Sequence, residues 1–214
     1  MAEPVILSAA GIGQVTLKSG VTAKVGDLIG HDGTDYVLAD ADGRIPASFI
    51  AMQYLAGDGT AKLAVCQSGT LYDSDAPYTA GSDQYLSNTA GAHTTTMPAA
   101  SSTLTVIQRI GKALSTTDMA FDLNRRGPTT LRVQTALDPA NNASDAISNN
   151  ALAVTGILTT DYVQGFAPAA LEAGVVPTVV WPSNADEISV RVQNPTAGAV
   201  NGASRTWDFL ITRL

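Results

Sequence analysis

Two histidines, one cysteine and several closely spaced aspartates are the residues of this 214-residue chain that could carry chemistry. His31 and His93 have the side chain suited to general-base work near neutral pH, and both fall in turn-rich stretches. A hydrolytic nucleophile needs such a base within hydrogen-bond reach, and no Gly-x-Ser-x-Gly elbow presents a serine. Cys66 lies in the run Leu63–Gln67, which reads as a strand and predicts a buried, inert thiol. A single cysteine makes no internal disulfide. Asp40-Ala41-Asp42-Gly43 and Asp73-Ser74-Asp75 resemble fragments of a calcium loop without its distal glutamate. Aspartates at such places stabilise turns through their own side chains. Gly11-Ile12-Gly13 lacks the third glycine and following helix of a dinucleotide loop, and Gly57-Asp58-Gly59-Thr60 lacks the Gly-Lys-Ser/Thr ending of a phosphate loop. The residues therefore predict no catalytic site, no cofactor and no metal.

Composition narrows the class further. Lys and Arg number 12 and Asp and Glu 19, a net charge of −7. That balance argues against gripping nucleic acid and against anionic lipid. Charged residues are only 14 % of the chain and hydrophobic residues 45 %. A lone soluble monomer shows more charge than this, so neighbours are expected to cover part of the surface. The start MAEPVILSAAGIG has no basic stretch and too short an apolar run for a secretion signal. No run of 18 apolar residues predicts a membrane span. Trp181 and Trp207 are expected to serve core or interface packing.

The elements that must position these residues read as strands. There are 19 glycines and 10 prolines, and short alternating runs are bounded by turn residues throughout, the signature of an all-β chain. In the first part, strands are expected at Gln14–Lys18, Val25–Gly30, Asp35–Leu38, Ser48–Leu55, Ala61–Gln67, Asp83–Ser87, Leu104–Lys112 and Met119–Leu123. Gly57-Asp58-Gly59 forms a hairpin turn between two of them. In the second part they are expected at Thr129–Ala136, Ala151–Ile157, Thr160–Phe166, Val175–Trp181, Glu187–Gln193 and Thr206–Thr212. The longest plausible helical piece, around Pro168–Ala173, spans about one and a half turns.

A composition shift and a charge shift set the organisation. Residues 1–124 hold six Lys/Arg and twelve Asp/Glu, whereas residues 125–214 hold six and seven. The boundary is placed near Asn124–Thr129. This predicts an N-terminal arm over residues 1–13, a small β-barrel-like, β-tulip-type domain over 14–124, and a β-sandwich over 125–214. In the arm, Val5, Ile6 and Leu7 are apolar and are followed by small residues. They suit strand addition to a neighbouring subunit, or equally the ordinary first strand of the domain. They are the candidate interface residues.

The first half resembles the capsid decoration (head-stabilising, cement) proteins of tailed phages. The track runs from Val25-Gly26-Asp27-Leu28-Ile29 and Tyr36–Asp40 through Ile50-Ala51, Ala61–Gln67 and Ser68-Gly69. It continues with Gly81–Ser87, Ala90-Gly91 and Thr94–Pro98, and closes on Val106–Leu114. The second half looks like another small β module of phage structural proteins, on Val154-Thr155-Gly156, Thr160-Asp161, Leu171–Gly174, Ala185-Asp186, Val190–Val192, Asn194, Thr196–Ala199 and Thr206–Ile211. The resemblance implies a structural virion protein without catalytic residues. It would be made in the host cytoplasm and seated outside the assembled capsid. Its partners would be the major capsid protein and two further copies of itself in a homotrimer, and its role would be to stabilise the shell by bridging neighbouring subunits. The alternative is a head or tail fibre-type module that binds a host receptor or glycan.

Overall fold

The structure, a computed structural model, describes residues 3–75, 78–99, 103–123, 129–139, 142–168, 171 and 175–213. The protein is all-β: the described residues form strands, turns and bends and contain no helix. In chain order the strands are β1 (Val5–Ala10), β2 (Gly13–Thr16), β3 (Thr22–Ala23), β4 (Leu28–His31), β5 (Tyr36–Leu38), β6 (Ala47–Ala51) and β7 (Leu55–Ala56). They continue with β8 (Lys62–Cys66), β9 (Ser68–Tyr72), β10 (Asp83–Leu86), β11 (His93–Thr94), β12 (Thr105–Val106), β13 (Arg109–Ala113) and β14 (Asp118–Asp122). The last six are β15 (Thr129–Leu137), β16 (Ile147–Ala153), β17 (Tyr162–Phe166), β18 (Val176–Asn184), β19 (Glu187–Gln193) and β20 (Arg205–Arg213).

The chain divides into two compact units, Met1–Pro98 with Val106–Gly127, and Ala99–Thr105 with Pro128–Leu214. The expected boundary near Asn124–Thr129 falls almost wholly on residues 124–128, outside those described, as does most of the helical piece expected at Pro168–Ala173. The first unit holds a six-stranded sheet, β1-β9-β14-β13-β10-β11, a five-stranded sheet, β2-β8-β6-β4-β5, and the pair β3-β7. Among the described residues these sheets stay open rather than closing into the expected barrel. The expected strand Ser48–Leu55 breaks at Met52, so that β6 stays with β8 while Leu55 and Ala56 leave to pair with β3.

Alternation decides which side chains go inward. Successive strand residues point to opposite faces, so Leu63 and Val65 of β8, and Met119 and Phe121 of β14, are buried while Lys62, Ala64, Asp118, Ala120 and Asp122 are less so; Cys66, at the end of β8, is buried as well. Val15, Leu17, Ala23, Ile29, Ala51, Leu63 and Val65 form one core cluster, with Tyr36 and Phe49 packed against it. Burying each large aliphatic side chain contributes about 1.5–3 kcal/mol. One side chain substitutes for a strand partner. The Gln108 carboxamide accepts from the Ala47 N–H at 2.7 Å and donates to the Ala47 carbonyl at 2.8 Å.

The N-terminal segment is not a detached arm. Val5–Ala10 forms β1, the edge strand of the six-stranded sheet, paired along β9 from Val5↔Tyr72 to Ala10↔Ser68. Gly69 permits this approach, because a Cβ there would lie 1.9 Å from the Ser8 carbonyl oxygen. Gly69→Val is therefore expected to separate β1 from β9 and to lower stability by about 2–3 kcal/mol. Urea unfolding and amide exchange would check this. Undiminished protection of the β1 amides in the variant would contradict it.

The second unit holds β15, β20 and β17, together with Thr105 of β12, from the four-stranded sheet β12-β15-β20-β17, and the three-stranded sheet β16-β19-β18. β15 and β20 pair without interruption from Thr129↔Arg213 to Leu137↔Arg205. Leu131 and Val133 of β15, Trp207, Phe209 and Ile211 of β20, and Ile188, Val190 and Val192 of β19 are buried. Trp207 and Phe209 stack with ring centroids 6.4 Å apart.

Candidate interaction surfaces

The residues that could carry chemistry are each occupied by local structure. Asp58 Oδ1 accepts from the Thr60 N–H (2.7 Å), the Thr60 hydroxyl (2.9 Å) and the Ala61 N–H (2.7 Å). The Ala61 N–H first, then the Thr60 groups, hold that carboxyl down at about 2. Asp32 caps its turn in the same way, accepting from the Thr34 and Asp35 N–H groups and pairing with Lys18 at 2.9 Å. Asp73 accepts from the Asp75 N–H at 2.9 Å. The Asp40 turn is closed by paired backbone bonds to Ile45, each 2.9 Å. Burial, and then the neighbouring Asp42 carboxyl, push the Asp40 carboxyl upward. Among the described residues no cluster of three His, Cys, Asp or Glu is placed to hold a metal ion.

His31 accepts at Nδ1 from the Gly33 N–H, 3.1 Å away, and meets Tyr36 edge-on. His93 lies stacked on Tyr78, with Nε2 3.2 Å from the phenol oxygen. Burial pushes the imidazole pKa down, against the nearby Asp73, and the same burial drives the Tyr78 phenol up. A general base needs a proton-bearing partner and an approach path; the His93 ring is packed against Tyr78, while His31 is exposed with its Nδ1 occupied by the Gly33 N–H. Cys66 is buried, its Sγ 3.9 Å from the Ile50 carbonyl, and burial raises the thiol.

The surface is where the structure places unspent apolar area. Of the candidate interface residues, Val5 and Leu7 are 48 % and 60 % exposed and Ile6 is half-buried. Leu7 is the extra residue of a bulge, since Ile6 pairs with Leu71 and Ser8 with Thr70. A bulge interrupts the free edge and hinders addition of a further strand there. Ile12, just beyond, is exposed as well. In the second unit the outward face of β16-β19-β18 carries Ile147, Val176 and Val179, all exposed. The register sets Ile147 and Val176 on either side of Gln193, and Asn149 and Val179 on either side of Arg191. The Arg191 guanidinium lies 5.4 Å from the centre of the half-buried Trp181 ring. Tyr162 and Phe166 are exposed on β17.

Two features of the second unit were not expected from its sequence. Asn194, fully buried, ties together two loops: its Nδ2 donates to the carbonyls of Asn142 (3.1 Å), Ala143 (3.0 Å) and Gly198 (2.7 Å). Asp161, also buried, receives Arg213 as a two-pronged fork at 2.8 and 2.7 Å. Asparagine in a Pro-containing turn and aspartate after Thr-Thr give only turn signals, so their reach across loops is invisible along the chain. No protein family, curated protein or solved structure matches the chain.

Proposed function

We propose that this protein is a capsid decoration protein of a tailed phage. It binds the outer surface of the assembled shell as a homotrimer and stabilises it by bridging neighbouring capsid subunits. The observation that carries this reading is the distribution of apolar side chains. Val5 and Leu7 on the edge strand β1 and Ile12 in the turn after it, and Ile147, Val176 and Val179 on an open sheet face of the second unit, are exposed. Such surfaces suit broad, shallow contact with another protein. The low charged fraction, 14 %, and the resemblance of the first half to cement proteins point the same way.

The mechanism is mechanical. A specific contact buries roughly 1,600 Å², and repetition over a shell multiplies modest contacts into avidity. No chemical role is assigned to His31, His93 or Cys66. A second reading, a fibre-type module that binds a receptor or glycan, is favoured by the exposed aromatic residues Tyr162 and Phe166, at 65 % and 48 %. Aromatic faces of this kind suit sugar or peptide ligands. Co-sedimentation tests the choice: the decoration reading expects saturable binding to assembled shells and none to free capsid subunits. Binding to host cell surfaces with none to shells would favour the fibre reading.

A further inference from the structure

We infer that the outward face formed by β15, β20 and β17 binds a neutral, straight oligosaccharide, with Tyr162 and Phe166 as stacking platforms and the Arg132–Asp208 pair as the fixed polar group beside them. The inference rests on the glycan arm of the second reading, whose face and ligand class it names, and it requires nothing of the shell.

The register builds this face in three rows. Side chains alternate along a strand, and Trp207, Phe209 and Ile211 are buried, so the residues between them face outward. Tyr162 lies beside Thr212 and Thr130, Gln164 beside Leu210 and Arg132, and Phe166 beside Asp208 and Gln134. Tyr162 and Phe166 therefore share one face of one strand, about 13 Å apart along it, with the exposed carboxamide of Gln164 between them. Two aromatic side chains left in water on the same strand hold apolar area that a ligand could cover.

The polar group beside them is preset. Arg132 Nε donates to Asp208 Oδ1 at 2.9 Å and to Oδ2 at 3.1 Å, and Nη2 donates to Oδ2 as well. Arg132 first, and then the Gln134 side chain, hold the Asp208 carboxyl below its ordinary range. Both members of the pair are half-buried, which limits their movement. The fork leaves the Arg132 Nη1 hydrogens and the remaining carboxylate lone pairs for a ligand.

These features define that ligand. A pyranose ring presents an apolar face of C–H groups to an aromatic ring, and its hydroxyls require donors and acceptors at fixed places, a pairing typical of small-ligand sites. A protein partner fits less well, because interface cores are depleted of charge and this face sets a charged pair directly beside Phe166. Arg132 and Asp208 cancel one another, so an acidic sugar would lose hydration without gaining a free cation. Both platforms stand on one strand, so a chain that spans them is straight, as β-1,4-linked pyranose chains are.

Nuclear magnetic resonance of the full chain tests the face. The neutral probes are β-1,4-linked hexaoses of glucose, N-acetylglucosamine, mannose and xylose. At least one is expected to shift the β17 and β20 amide signals saturably, and β-1,4-linked mannuronate hexaose, the acidic counterpart of the mannose probe, is expected to leave them in place. Tyr162→Ala and Phe166→Ala are each expected to weaken the bound hexaose about tenfold. Both positions are exposed, so alanine is compatible with folding, which the amide spectrum checks. Tyr54→Ala, at an exposed ring of the first unit, is expected to change nothing. The proposal is overturned if no neutral hexaose shifts these signals at millimolar concentration, if the acidic hexaose binds as well, or if neither ring substitution weakens binding. Host-cell binding that survives replacement of both rings would overturn this face and leave the second reading standing. Ring-dependent hexaose binding without any host-cell binding would support the face while the second reading fails.

Discussion

Asn194→Ala is expected to cost the second unit about 3 kcal/mol of stability, one of the two largest effects of any single substitution considered. The Asn194 side chain is fully buried, and its Oδ1 accepts from the Thr196 N–H at 3.0 Å and the Thr196 hydroxyl at 2.6 Å. Together with its three carbonyl acceptors it holds the loop at 142–146 against the turn at 194–198. Its own N–H donates to Ala146, 3.0 Å away, and that bond survives in alanine. Alanine would remove the whole carboxamide and leave several groups without partners, each worth about 1–3 kcal/mol if it stays dry. Entry of water at the exposed part of the turn keeps the total near the lower end. Asn194→Asp discriminates further, because a carboxylate cannot donate to three carbonyls. It should be worse than alanine at neutral pH and recover on acidification. Urea midpoints at two pH values measure both effects. A loss below about 1 kcal/mol for alanine would show that the loops hold without this side chain.

The second large effect concerns Arg213. Arg213→Met would leave the Asp161 carboxylate, whose side chain is 0 % exposed, without its fork. Removing one partner of a buried pair costs about 3–5 kcal/mol. The same guanidinium donates to the Gly156 carbonyl at 2.7 Å, so a third bond is lost with it. The pH dependence has a definite sign. Burial pushes the Asp161 carboxyl up, but the Arg213 fork and the Leu158 N–H outweigh it and hold the pKa below the ordinary value. A depressed carboxyl pKa gives stability that is present above the unfolded value of about 3.9 and lost as pH falls through the folded value. Without Arg213, burial is opposed only by the Leu158 N–H, and protonation relieves the strain. The deficit of the variant should therefore be largest at neutral pH and shrink below about pH 4. Thermal melts from pH 7 to pH 3 check this, and a deficit that is constant across the range would contradict it.

The strands that alternate cleanly were legible. TWDFLIT sends Trp207, Phe209 and Ile211 inward, and EISVRVQ sends Ile188, Val190 and Val192 inward, as the register requires. Less legible elements have a physical reason. β9 reads SGTLY, with small and polar residues and a glycine, yet it is hydrogen-bonded on both sides, by β1 and β14. Its role is set by close backbone approach, which leaves no apolar pattern. The first half of β16 reads ISNN, and a serine and two asparagines signal a turn rather than a strand. Asn150 nevertheless faces inward, donating to Ser148 Oγ at 3.2 Å and to the Val190 carbonyl at 3.3 Å. The arm over residues 1–13 was legible as apolar, but nothing local shows that β9 lies ready to pair with it.

Shell stabilisation is the central claim, and calorimetry of expanded capsids tests it most directly. A ligand that binds only the assembled state raises its melting point by mass action, about 2.7 kcal/mol per site at a hundredfold excess over Kd. Shells saturated with this protein are expected to melt higher than bare shells. Shells carrying protein with His31, His93 and Cys66 all replaced by alanine, once shown to be folded, are expected to match the wild type. Identical melting with and without the wild-type protein, under conditions where it is added in large excess, would contradict the account.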